Sequence, residues 1–126
     1  MKKNMFPVVI VFLLVVLFQV VAFAGPTEHI GYLSDVKCAV KGTAGDGANL
    51  QTNPEKHTVA CMKMPGCAAS GYGVLVKDEK GGKYVFHKFD AKGNEIAKKL
   101  LNTTKRTDNM NIMVKGVMSK DAINVE

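Results

Sequence analysis

The sequence predicts a mainly β fold with one or two helices, and three observations carry that expectation. Five short stretches follow the apolar and polar alternation of half-buried strands. Two connections, Asp78-Glu79-Lys80-Gly81-Gly82 and Ser119-Lys120-Asp121, have the length and composition of hairpin turns. One stretch, Asp90 to Leu101, switches to helical spacing, and it falls between the third and fourth strands. Three strands, a helix and two strands is the chain order of an OB-type barrel. The expected architecture is therefore a small five-stranded OB-like barrel.

The elements follow in order. Residues 1–24 have the plan of a cleaved signal peptide. Lys2 and Lys3 precede an apolar run from Met5 to Phe18, and Ala22-Phe23-Ala24 supplies the small residues of a cleavage site. Residues 25–126 then make a single domain. The first strand is His29–Asp35, with Ile30 and Tyr32 on one face. The connection to the second strand is long, residues 36–71. Its first part, KGTAGDGANLQTNP over 41–54, has no periodicity and reads as a mobile loop. Pro54 opens a short helical turn through Met62, capped by Asn53 or Thr52, and Pro65-Gly66 ends it.

The second strand is Gly73–Lys77 and the third Lys83–Phe89. In the helix, Ile96, Ala97, Leu100 and Leu101 form the apolar stripe. Gly93 and Asn94 weaken its front, which moves the expected start toward Glu95. Asn111–Met118 is the fourth strand, with Ile112 and Val114 on one face and Met113 and Val117 on the other; Ala122–Val125 is the fifth.

The net charge of +6 falls to +4 once Lys2 and Lys3 are removed. That describes a Lys-rich solvated surface better than a polyanion-binding one. Export to the periplasm or outside the cell makes a nucleic-acid partner a poor fit, and no membrane span is expected after cleavage. No nucleophile elbow, phosphate loop or paired-carboxylate site is present, so the reading is non-catalytic. A thiol redox role built on Cys61 and Cys67 is the one enzymatic alternative.

Chemistry concentrates in one stretch, His57-Thr58-Val59-Ala60-Cys61-Met62-Lys63-Met64-Pro65-Gly66-Cys67. With Cys38, the chain has three cysteines. An oxidising compartment favours a disulfide, and an odd count leaves one thiol over. Cys38 bridged to Cys67 would close a loop of about 30 residues, stabilising the fold by roughly 3.6 kcal/mol, against about 2.3 for Cys61 to Cys67. The leading expectation is a disulfide-stapled loop in a small exported binding or structural protein. The alternative is a soft-metal site from Cys38, His57, Cys61 and Cys67, with Met64 nearby, taking Cu(I) or Zn(II). A second alternative is an oligosaccharide- or peptide-binding face on strands two and three, formed by Tyr72, Tyr84, Phe86, Lys83 and Lys88. His87 reads as a surface or barrel-wall residue, Asp35 as a strand end, and Asp90 as a helix cap.

The chain resembles a family of small exported bacterial proteins of uncharacterised function. The likeness rests on Gly31-Tyr32-Leu33-Ser34-Asp35 with Cys38, on His57-Thr58, Cys61, Met64-Pro65, Cys67 and Ser70-Gly71-Tyr72-Gly73, and on Phe89-Asp90, Gly93-Asn94, Val114-Lys115-Gly116 and Ile123-Asn124-Val125. In the wider group the second and third cysteines are similar but more closely spaced. The resemblance implies a signal peptide, a small β-barrel and a recurring set of Cys38, His57, Cys61 and Cys67. It implies no particular activity.

Overall fold

Alternation in the sequence becomes five strands. They are β1 (Thr27–Asp35), β2 (Tyr72–Lys77), β3 (Tyr84–Phe89), β4 (Asn111–Met118) and β5 (Ala122–Val125). The computed structural model describes residues 25–126; the expected signal peptide, residues 1–24, lies outside them. No helix among the described residues is long and apolar enough to cross a membrane.

The strands form one mixed sheet. β1 pairs antiparallel with both β2 and β4, and β2 pairs antiparallel with β3. β5 pairs antiparallel with β4 and parallel with β3. The spatial order is thus β1-β2-β3-β5-β4, and the β4–β1 ladder closes it. This differs from the chain order, because β5 inserts between β3 and β4. The 13-residue helix α4 (Ala91–Thr103) makes that possible. It carries the chain from the end of β3 across to β4, leaving the β3 edge free for β5.

The core follows from strand parity. Leu33, Tyr72, Val74, Phe89, Val114 and Ile123 are buried together with Ala97 and Leu101 of α4. Two helix expectations are corrected. Ile96 is 47% exposed, and the buried row is Gly93, Ala97 and Leu101, residues spaced four apart on one face. Gly93 lets the helix dock: a Cβ there would lie 2.7 Å from Val125 Cγ2 and 2.8 Å from Phe89 Cβ. The helix also starts at its expected cap rather than at Glu95, because Asp90 Oδ1 accepts from the Gly93 N–H at 2.9 Å.

The long β1–β2 connection holds more structure than expected. It contains α1 (Val36–Lys41), a 3₁₀ turn at Pro54–Lys56, α2 (Val59–Met62) and α3 (Pro65–Ser70). Pro65 does not merely end a turn; it opens α3, where its missing N–H is harmless. The 41–54 segment is packed, contrary to the mobile-loop reading. Ala44, Ala48 and Leu50 are buried against Leu75 and the cysteines. Thr43 bridges Asn49, and the Tyr84 N–H donates to the Gln51 carbonyl at 2.9 Å.

Candidate metal centre

Three short helices deliver three thiols to one place, and each thiol stands at the same position in its helix. Cys38, Cys61 and Cys67 are each the third residue of α1, α2 and α3. In the first two, the residue three before the cysteine caps the helix through the cysteine's own N–H. Asp35 Oδ2 accepts from Cys38 N at 2.8 Å, and Thr58 Oγ1 accepts from Cys61 N at 3.1 Å. Such a cap satisfies an N–H that the first turn leaves unpaired. Here it also fixes where each helix presents its sulfur.

The three Sγ atoms lie within 4.8 Å of one another, and all three thiols are free and buried. A disulfide requires a sulfur separation near 2.05 Å, so none is formed. Three sulfurs around one ion at ~2.3 Å sit roughly 4 Å apart, which falls within the 4.8 Å that bounds this group. The sulfurs border a cleft of about 300 Å³ lined by Lys37, Lys41, Thr43, Ala44, Gly45 and Met64. Met64 stands at its rim, 56% exposed.

His57 does not join the sulfurs as a free ligand. Its side chain is fully buried, and both ring nitrogens face carboxylates. Nε2–H donates to Asp35 Oδ1 at 3.0 Å and Nδ1–H to Asp46 Oδ2 at 3.1 Å. Two acceptors call for two N–H donors, the imidazolium form. Burial pushes the His57 pKa down, but the bonds to Asp35 and then Asp46 outweigh it, and the net shift is upward. Burial likewise raises Asp46, yet the Thr58 N–H, the His57 ring and the Ala48 N–H together hold it at about 2. Asp35 is lowered against its burial, first by His57 and then by the Cys38 N–H.

This Asp35–His57–Asp46 array ties the connection to the barrel. Asp46, at the tip of the 43–49 hairpin, accepts from Thr58 N at 2.7 Å and from Thr58 Oγ1 at 2.9 Å. The fastening expected of sulfur is therefore supplied by charge. Two of the thiols beside it are held toward the protonated form. Burial, opposed by the Gly45 N–H and reinforced by Asp35, pushes Cys38 up to about 12. Burial and then the Asp35 charge raise Cys67.

The expected strand two and three face is not assembled. Tyr72 is buried inside the sheet, its hydroxyl donating to the Met62 carbonyl at 3.0 Å. Tyr84 and Phe86 lie on the opposite surface, packed against the cluster of Leu50, Leu75 and the cysteines. Tyr84 meets Tyr32 edge-on at 5.6 Å. The chain's own 41–54 segment covers this surface, leaving Lys83 and Lys88 exposed beside it. His87, expected at the surface or in the barrel wall, is a buried residue of β3, and its Nδ1 has no hydrogen-bond partner among the described residues.

Two residues of the site escaped sequence reasoning. Asp46 lies in a stretch without periodicity, and nothing local marks it. Asp35 carried a signal that was available: Asp35-Val36-Lys37-Cys38 and Thr58-Val59-Ala60-Cys61 share a cap-x-x-Cys pattern, which marks helix starts. No protein-family model, no curated protein and no solved structure matches this chain.

Proposed function

We propose that the protein binds one thiophilic metal ion between Cys38, Cys61 and Cys67. The observation that carries this reading is the convergence of all three sulfurs within 4.8 Å. A disulfide uses two thiols and leaves no reason for the third to be there. The nearby harder donors are turned elsewhere. His57 spends both nitrogens on carboxylates, and Asp35 spends one oxygen on His57 and the other on the α1 cap. A sulfur-only set suits Cu(I), and three thiolates with a water suit Zn(II). Met64 is the one further sulfur donor on the cleft. Each bound thiolate would release a proton on loading.

The scaffold in this proposal is an OB-like barrel of a small exported protein, in line with the family resemblance. The β1-β2-β3-β5-β4 order, with a helix between β3 and β4, supports the OB assignment. No chemical step is assigned to the site; its task is to hold an ion.

The test is metal content together with thiol count. The reduced protein, loaded with Cu(I) or Zn(II) and desalted, should retain one ion per chain and show no alkylatable thiol. Cys61→Ser should abolish retention. Unchanged metal content in that variant would remove the metal reading. A second reading, the disulfide-stapled loop, draws support from the same distances, since buried thiols this close can pair in an oxidising compartment. It requires one free thiol per chain in protein taken from that compartment.

A further inference from the structure

We propose that the ion this site is built for is a trivalent thiophilic metalloid, with arsenite as the probe. The inference rests on the three-thiolate reading above and concerns which ion it selects. Three sulfurs converge, and among the described residues the other donors beside them are engaged: both nitrogens of His57 and both oxygens of Asp35 are hydrogen-bonded, and Met64 sits exposed on the rim. Below the sulfurs, Asp35 and Asp46 share the one imidazolium of His57. One negative charge is therefore already unmatched there. One oxygen of Asp35 and a ring nitrogen of His57 lie within 4.8 Å of the Cys38 sulfur, and one oxygen of Asp46 and a ring nitrogen of His57 within 4.8 Å of the Cys61 sulfur.

Adding an ion to three thiolates changes the net charge in a way that depends on its valence. Cu(I) leaves two further negative charges among the sulfurs, and Zn(II) leaves one. A trivalent centre leaves none. Uncompensated charge in a buried site is costly, and a second negative charge beside Asp35 adds repulsion. Lys37 and Lys41 line the mouth of the cleft but are exposed, so water and salt screen them. The neutral product is the one this environment tolerates best.

The chemistry balances without a redox partner. Written from the thiol form, arsenous acid, As(OH)3, reacts with three S–H groups. Three As–O bonds break, three As–S bonds form, and each hydroxide leaves with a thiol proton as water. Arsenic stays trivalent, and no net proton is released. The product is a three-coordinate pyramid whose lone pair can face the cleft, which at about 300 Å³ admits the entering molecule.

The experiment uses the reduced full chain, sodium arsenite and native mass spectrometry, with parallel samples given Cu(I) and Zn(II). The expected product carries one arsenic and has lost three hydrogens, and all three thiols resist alkylation. Arsenite should displace Zn(II). Met64→Leu should leave arsenic uptake intact. Cys61→Ser should lose the three-hydrogen product. Arsenic held with the loss of only two hydrogens would overturn the inference. So would retention of Cu(I) or Zn(II) with no arsenic uptake, a result that leaves the three-thiolate site standing. Failure to take up any of the three would overturn both.

Discussion

The described residues form two buried clusters, and they are made of different material. One packs Leu33, Tyr72, Val74, Phe89, Leu101, Val114 and Ile123 between the sheet and α4. The other packs Cys38, Cys61, Cys67, Ala44, Ala48, Leu50 and Leu75 under the β1–β2 connection. The first is large aliphatic and aromatic side chains filling space, where shape sets stability. The second sets Ala44, Ala48, Leu50 and Leu75 around three sulfurs, fastened by a carboxylate–imidazolium–carboxylate array in which Asp35 and His57 are buried. The difference teaches that one region is built to be stable and the other to hold groups in position. Substitutions should separate the two roles.

The largest effect should come where the regions join. Asp35 ends β1, caps α1 and holds His57, and it is fully buried. Asp35→Asn leaves the imidazolium with one partner of two and replaces a charged acceptor. Removing one member of a buried ion pair costs about 3–5 kcal/mol, and that loss should appear as a lower denaturation midpoint. The three thiols should then alkylate faster in the native protein, because α1 loses its anchor. A variant as stable as the parent would mean that the array does not fasten the connection.

Next comes a cut into the ordinary core. Leu101 is 2% exposed, and Leu101→Ala should cost about 3 kcal/mol through lost burial and a cavity. Ion uptake by the folded fraction should stay at one per chain. If uptake falls in proportion to stability, the two clusters are one cooperative object and the contrast drawn above is wrong.

What was legible in the sequence divides along the same line. Strand boundaries, the hairpins and the helix after β3 could be read because alternation and 3.6-residue spacing are local. The insertion of β5 between β3 and β4 could not, since pairing partners leave no local mark. The cysteines and His57 were legible as a group by residue type. Their roles were not: whether an imidazole faces sulfur or carboxylate depends on Asp46, which the 43–49 hairpin brings in from 11 residues away. Gly93 was misread because its lack of a side chain is a packing feature, visible only once Phe89 and Val125 are beside it.

A smaller effect compares the two buried histidines in the metal-free protein. His57 has its pKa raised by its carboxylates. Its stabilisation is complete below the unfolded value near about 6.5 and fades as pH rises through the folded value. His87 is lowered, by burial first and by the nearby His29 charge. Its contribution is complete above about 6.5 and fades as pH falls. Stability should thus slope down on both sides of neutrality for two different reasons. His87→Leu should flatten the limb below the ordinary histidine value near about 6.5, and His57→Gln the limb above it. Below the ordinary aspartate value near 3.8, Asp46 adds a further loss as pH falls toward about 2. Denaturation midpoints across pH check each limb, and swapped assignments would refute the hydrogen-bond roles given to the two rings.

The smallest effect should come from Met64→Leu. The side chain is 56% exposed, and Leu nearly conserves its volume, so stability should move by less than about 0.5 kcal/mol. The value of the variant lies in what it does to the choice of ion. A Cu(I) site that recruits the thioether as a further ligand loses a donor and should release copper faster to a competing chelator. A three-thiolate metalloid site loses nothing. Equal copper retention in parent and variant would place Met64 outside the site and leave the three cysteines as its whole donor set. Weaker arsenic retention would show instead that the rim residue controls access to the cleft, and the boundary of the site would have to be drawn wider than the sulfurs of α1, α2 and α3.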